Sequence, residues 1–304
     1  MDMTRTVGGP RCSAVSEALG EPLAGTSATA VSWLAIEQPG PWGRDALSAS
    51  HLDEGVAREL ASLSAGSGVR IVLIRRPGSH PDRHRPVPRS VYLAHTAPGR
   101  SWLERTTVTD PKALLDLDFA RAGAGERGQL GTAVADSLLL VCTNGRRDVC
   151  CALRGRPIAE AMVVSHGDRV WECTHIGGHR FAPTALLLPT GYSYGRLTVT
   201  SAARLLAGGP VFADCRGRST WQPVGQVAEL AVRGKSGVLD PDALSVTSIE
   251  ETGAGRTVGV SHVDGRTWRV AVVEREVAAA RAASCGAAPT PAVALSVSGV
   301  VEDV

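Results

Sequence analysis

A chain of 304 residues can bury one large core or two modest ones, and 43% hydrophobic with 20% charged residues is an ordinary globular composition. A formal net charge of +2 gives no field that would direct the chain to nucleic acid or an acidic membrane. Seven cysteines, odd in number and irregularly spaced, do not read as a secreted disulfide framework. No run of about 18 apolar residues offers a membrane span, and the N-terminus has no apolar segment suited to a signal peptide. The expected home is a reducing cytoplasm, which keeps thiolates available as ligands. Lysine occurs only at Lys112 and Lys235, a skew toward arginine that reads as composition bias rather than as a phosphate-binding surface.

Residues 1–30 are small and polar, with a short helical stretch after Cys12, and read as a leader packed on the body. From residue 31 the pattern is strand (VSWLAIEQ), turn (PGPWGRD), helix (HLDEGVARELASL), strand (VRIVLIRR) and strand (RSVYLAHT). The outline then recurs: SLLLVCT is a strand and NGRRDVCCALRGR a turn. PIAEAMVV follows as a helix with Pro157 in its first turn, and RVWECT and TALLLPT are strands. Setting WLAIEQPGPWGRDAL beside LLLVCTNGRRDVCCAL aligns Arg44-Asp45 with Arg147-Asp148, which reads as an internal duplication whose first copy lacks the cysteines. SAARLLAGG is a helix ended by Gly208-Gly209, the Cys215 region is a loop, and PVGQVAELAVRG is a further helix. Asp264-Gly265 between two alternating segments predicts a hairpin, and the Ala-, Pro- and Val-rich tail beyond Ala278, including Cys285, is expected to end poorly ordered.

The segment 142–183 concentrates the chemistry, holding four of the seven cysteines and three of the eight histidines. Cys142 and Cys151 are separated by eight residues and His175 and His179 by three, with two glycines between the imidazoles. Paired thiols and paired imidazoles suit zinc or an iron–sulfur cluster and suit magnesium or calcium poorly. Zinc knuckles set their first two cysteines roughly two to four residues apart, so a gap of eight points to a wider object. Glycines at 177 and 178 permit positive φ and close approach of backbone N–H groups to sulfur. Cys150 would serve the spacing nearly as well as Cys151, and the residues alone do not choose. The bland reading of each donor, a core thiol or a polar loop histidine, weakens when all four share one pattern.

Taken together, VCTNGRRDVCCA, HIGGHRFAP and PTGYSYGRL resemble the sucrase/ferredoxin-like family, and the likeness extends upstream through RCSAVSEALGEPLAGT and IEQPGPWGRDAL. The resemblance implies a thioredoxin-like [2Fe–2S] ferredoxin with mixed ligation, and it selects Cys142, Cys151, His175 and His179 as the cofactor ligands. Two ferric ions, two sulfides and two thiolates with neutral imidazoles sum to about zero charge, so reduction should be easier than in an all-cysteine cluster. The second nitrogen of a ligating imidazole can exchange a proton as the iron changes charge, which would couple electron to proton transfer.

The expected fold class is α/β, with thioredoxin-like domains, one of them a degenerate copy, and a small C-terminal β-hairpin appendage. The expected divisions are 1–30, 31–125, 126–235 for the ferredoxin domain, and 236–304. The expected function is electron transfer between a reductase donor and an acceptor protein, with no nucleic-acid or membrane partner. Two rivals remain: a zinc-stabilised structural protein using the same four ligands, and a thiol oxidoreductase using Cys150 with Cys151 or Cys173. The second lacks a Cys-x-x-C at a helix head. His80 and His84 read as a solvated loop pair, and Cys12 and Cys173 as packed thiols. His166 and His262 fall in turns. Trp42, Trp171 and Trp221 are expected to be core residues. Arg146, Arg147, Arg154 and Arg180 would either steer an acidic partner or pair with Asp148 or Glu172. No carboxylate pair for glycoside hydrolysis and no phosphate-binding glycine loop is evident.

Overall fold

Strands buried on both faces make the centre of the molecule, as continuous apolar runs such as LLLVC require. The structure, a computed structural model, describes residues 11–78, 87–209, 212–253, 255–277 and 279–303. In chain order it begins with α1 (Cys12–Ala18), β1 (Ser32–Glu37), α2 (Glu54–Ser64), β2 (Val69–Arg75), β3 (Arg89–His95) and β4 (Trp102–Val108). There follow α3 (Phe119–Ala124), β5 (Thr132–Ala133), β6 (Leu138–Cys142), α4 (Val149–His166), β7 (Val170–Cys173), β8 (Ala185–Leu188) and β9 (Tyr192–Tyr194). Next come α5 (Val199–Leu206), β10 (Cys215–Arg218) and α6 (Pro223–Ser236). The C-terminal part adds β11 (Leu244–Thr252), β12 (Gly255–His262), β13 (Thr267–Glu276), β14 (Arg281–Ala282), β15 (Pro289–Thr290) and β16 (Val293–Asp303).

Ten strands form one mixed sheet in the order β10-β9-β8-β6-β7-β2-β1-β3-β4-β5. Its two halves repeat one connectivity. β1 lies parallel to β2 and antiparallel to β3, which pairs antiparallel with β4. β6 likewise lies parallel to β7 and antiparallel to β8, which pairs antiparallel with β9. The halves meet where β2 and β7 pair antiparallel, Ile74 opposite Cys173 and Arg75 opposite Glu172. An ion pair reinforces this short seam: Arg75 donates to Glu172 at 2.9 Å through Nε, and Thr143 Oγ1 donates to the same carboxylate at 2.7 Å.

Alternation along the strands divides the core. Leu34 and Ile36 pack with Val56, Ala57 and Leu60 of α2, and Leu139 and Val141 pack with Ala159 and Met162 of α4. The intervening residues Trp33, Ala35, Leu140, Cys142, Trp171 and Cys173 form a core that spans both halves. A second sheet, β11-β12-β13-β16, is antiparallel throughout and packs its apolar face on α6 through Val224, Val227, Ala228 and Val232.

Several expectations are corrected. Residues 149–156 are helical rather than a turn, because Asp148 caps the helix by accepting from the Cys150 N–H at 2.9 Å. Pro157 therefore lies inside α4 instead of at its start. The Cys215 region is a strand, β10, on the sheet edge. Within the described residues of the tail, β16 pairs with β13 from Thr267–Asp303 to Glu276–Val293, so the expected hairpin of β12 and β13 is part of a four-stranded sheet. Small residues had hidden the β16 signal, which depends on a partner strand to satisfy its backbone. Strand β4 and helix α3 were not anticipated. His80 and His84 lie outside the described residues. Among those described, no helix is long and apolar enough to cross a membrane.

Candidate metal centre

Cys142 ends β6, at the carboxyl end of a parallel strand pair, where side chains at a sheet's rim converge. Its N–H donates to the Thr184 carbonyl at 2.9 Å, and the next residue, Thr143, donates to the Cys173 carbonyl at 3.0 Å. The chain then turns through Asn144 to Asp148 and enters α4, whose first turn carries Cys150 and Cys151. Helix and strand end approach closely because position 155 is glycine. A Cβ there would lie 2.2 Å from the Cys142 carbonyl oxygen. Cys151 is thereby brought over Cys142, and both are essentially buried.

After β7 the chain runs through Thr174, whose N–H donates to the Leu73 carbonyl at 2.9 Å, to His175. The Nδ1 of His175 sits 3.9 Å from the Cys142 sulfur and 4.0 Å from that of Cys151. These three ligand atoms lie within 4.8 Å of one another. Glycines 177 and 178 then adopt φ of 86° and 70°, turning the chain so that His179 Nδ1 comes 3.3 Å from His175 Nε2. The structure thus brings Cys142, Cys151 and His175 into one group, with His179 in contact with the third member. His179 Nε2 is 3.8 Å from an Asp148 carboxylate oxygen.

The neighbouring cysteines separate sharply. Cys151 belongs to the core that contains Cys142, whereas Cys150 packs with Cys12 and Cys285. Cys173 lies opposite Cys142 in the ladder, fully buried and outside the donor group. Hydrogen bonding from the Cys151 thiol holds Cys142 well below the usual thiol range, burial opposes this, and His175 and the Asn144 N–H add to the lowering. The same bond and burial push Cys151 upward. Burial lowers His179 from the ordinary imidazole value, with Asp148 opposing.

Arg216 of β10 is a residue that sequence reasoning missed. It is fully buried and donates to the Gly177 carbonyl at 3.0 Å and to Thr26 Oγ1 at 3.0 Å, tying the His-x-Gly-Gly-His loop to the N-terminal segment. Position 178 favours glycine, since its φ is 70° and a Cβ would fall 2.3 Å from Arg216 Nη2, forcing the buried guanidinium to shift. Burial and Arg180 pull Arg216 down to about 10, while Cys142 and Cys151 favour its charged form. Its separation from the cysteines in sequence left no signal. Arg154 and Arg180 pair with Glu17 and Glu21, each at 2.8 Å, and Glu172 takes Arg75, so the suggested pairings with Asp148 and Glu172 are not formed by these two arginines. Trp42 and Trp171 are core residues as expected, and Trp221 is half-buried.

A sulfur and imidazole donor set at the rim of a mixed α/β sheet defines a candidate soft-metal protein. The family model for sucrase/ferredoxin-like proteins matches residues 23–209, more than half of the chain, and the chain belongs to that family. No curated protein and no solved structure matches it. The residues could hold a soft metal or an iron–sulfur cofactor. Two thiols and an imidazole converge, and His179 Nε2 is buried without a hydrogen-bond partner.

Proposed function

We propose that this protein is a single-electron carrier in which Cys142, Cys151, His175 and His179 hold one [2Fe–2S] cluster, passing electrons from a reductase to an acceptor protein. The observation that carries the reading is the convergence of Cys142, Cys151 and His175 in a member of this family. When bound, such a cluster supplies a one-electron couple, and two neutral imidazole ligands place it in the band of about −150 to +300 mV.

Each residue has a distinct part. Cys142 and Cys151 supply negative charge from within the core, and the buried Arg216 guanidinium offsets it. His175 is half-buried and borders an open cavity of about 700 Å³ that is also lined by Arg44, Asp45, Arg70, Asn144 and Arg147. That cleft is the natural approach for a redox partner, and its three arginines favour an acidic one. Whichever ring nitrogen of a histidine does not ligate holds a proton whose affinity follows the charge at the site, which couples electron and proton transfer.

The scaffold in this proposal is a pair of thioredoxin-like halves, the first having no ligands. The matching connectivity of β2-β1-β3-β4 and β7-β6-β8-β9 supports it. Anaerobic purification followed by iron, sulfide and zinc counts, with an EPR spectrum of the dithionite-reduced protein, tests the assignment. Iron and acid-labile sulfide in equal amounts with a reduced-state signal are expected. Zinc at these four residues, with no sulfide, would overturn it. Proton coupling predicts a midpoint potential that falls as pH rises, and a flat profile across about pH 6 to 10 would remove that part.

A further inference from the structure

A second donor group stands beside the first, built from three segments distant in sequence. Cys12 begins α1, Asp148 and Cys150 head α4, and Cys285 lies in the turn between β14 and β15. The sulfur–sulfur separations are 3.7 Å for Cys12–Cys150, 3.3 Å for Cys150–Cys285 and 3.5 Å for Cys285–Cys12. An Asp148 oxygen lies 3.6 Å from the Cys12 sulfur. All four ligand atoms fall within 4.8 Å of one another.

We propose that Cys12, Cys150, Cys285 and Asp148 hold a structural zinc ion, separate from the Cys142/Cys151/His175/His179 set. A tetrahedral zinc with Zn–S of about 2.3 Å and Zn–O of about 2.1 Å requires sulfur–sulfur edges of about 3.8 Å and sulfur–oxygen edges of about 3.6 Å. The observed edges lie within half an ångström of those values and far from the ~2.05 Å of a disulfide. No pair of the three sulfurs is singled out for bonding, as a disulfide would require. Donor chemistry agrees, since three thiolates and one carboxylate suit zinc and suit calcium or magnesium poorly.

The carboxylate is already aimed. One oxygen accepts from the Cys150 N–H at 2.9 Å and the other from the Cys285 N–H at 2.8 Å, so the backbones of two ligand residues orient the fourth ligand. Asp148 is only 5% exposed and faces three sulfurs, and the one imidazole near it, His179, stands 3.8 Å away. A divalent ion would add a counter-charge to a buried carboxylate that these two N–H bonds already stabilise. Binding forms three Zn–S bonds and one Zn–O bond and releases the protons of the three thiols to solvent.

The surroundings already gather the same segments. Glu21 accepts from Arg180 at 2.8 Å and from Arg281 at 2.5 Å, four residues before Cys285, and Arg154 of α4 reaches Glu17 of α1 at 2.8 Å. Cys12 and Cys285 fall outside residues 23–209, so the family match does not account for this site. The staple would anchor the first turn of α4, where Cys151 directly follows Cys150, and would join the segments around Cys12 and Cys285 to the candidate redox centre.

The test is metal counting on the untagged full-length protein, purified under reducing conditions from cells supplied with iron and zinc. About one zinc per chain is expected alongside the iron. Cys12→Ser and Cys285→Ser should each lower zinc about tenfold while iron and the visible spectrum persist. Cys142→Ser should do the reverse, so failure of this site and failure of the iron assignment give different results. Zinc unchanged in both variants, or a mass two hydrogens lower that maps to a disulfide among these cysteines, would overturn the proposal. Should the variants not fold, a zinc chelator applied to the unmodified protein should lower Tm, and Zn2+ but not Ca2+ should restore it. A Tm unaffected by zinc removal would also overturn the proposal.

Discussion

The two half-sheets share connectivity and differ in what fills the turn after their first strand. Beyond β1, the turn is closed by Trp42, whose Nε1 donates to the Gln38 carbonyl at 3.1 Å and whose ring carries the Arg75 guanidinium at 3.9 Å. Beyond β6, the equivalent turn starts at Cys142 and leads to a helix whose first turn presents Cys151. The contrast continues one strand over, where β2 ends in Arg75 and β7 leads into His175. One framework thus supports an aromatic and cationic plug in one half and a sulfur and imidazole group in the other. The scaffold supplies the rim, and a few side chains on it decide whether the rim can bind anything.

The sharpest way to break the comparison is to remove a donor from the second half and a plug from the first. Cys142→Ser should abolish the proposed iron centre, read as loss of visible absorbance and of iron. Trp42→Phe should leave both intact and change only stability; loss of iron in both variants would mean that the halves do not divide in this way.

A smaller effect is expected at the seam. Glu172 is fully buried and accepts from Arg75 and Thr143, so Glu172→Ala leaves a buried guanidinium without its counter-ion and should cost about 3–5 kcal/mol in denaturant unfolding. Both halves should lose stability together, because the pair joins them. Separate transitions for the two halves in the unmodified protein would show that the seam does not couple them.

Gly155→Ala should cost about 1–3 kcal/mol, because its Cβ would meet the Cys142 carbonyl at 2.2 Å and push α4 from the strand end. Unlike the Glu172 change, it should also perturb the visible spectrum of the iron-loaded protein, since Cys151 moves with α4. A stability loss with an unchanged spectrum would show that helix and donor are not mechanically linked.

The mildest effect comes from acid. Burial pushes Glu21 upward, but hydrogen bonds from Arg180 and Arg281 outweigh it and hold the carboxyl below its usual value. Since the folded-state value is depressed, the stabilisation is complete above the unfolded carboxyl's value of about 4.3 and fades as pH falls through the folded one. Glu21→Gln should flatten that part of the stability–pH curve, and an unchanged curve would assign the acid sensitivity elsewhere.

Much of the main sheet was legible in the chain because its strands are long apolar runs bounded by glycine and proline. The periodicity of residues 54–64 likewise identified α2. Helix α4 was misplaced since Pro157 dominated the local signal, while the Asp148 cap, a weaker cue, set the true start. Strand β16 was read as disordered tail because short runs of valine and alanine acquire strand character only beside β13. At the site, cysteine and histidine spacing pointed to Cys142, His175, His179 and either Cys150 or Cys151, and the family resemblance selected Cys151. That Cys150 faces away from Cys151, toward Cys12 and Cys285, depended on the helical rotation between consecutive residues and on two segments far off in sequence.

Residue type and short-range spacing by themselves determined that this protein carries a soft donor set on the turns of a repeated α/β pattern, because donor chemistry and hydrophobic periodicity are local properties. Only the tertiary structure decided which sulfurs meet, that Arg216 braces the histidine loop, and that the segments around Cys12 and Cys285 close on the head of α4. Those are matters of distance in space, and a linear chain records distance only between neighbours.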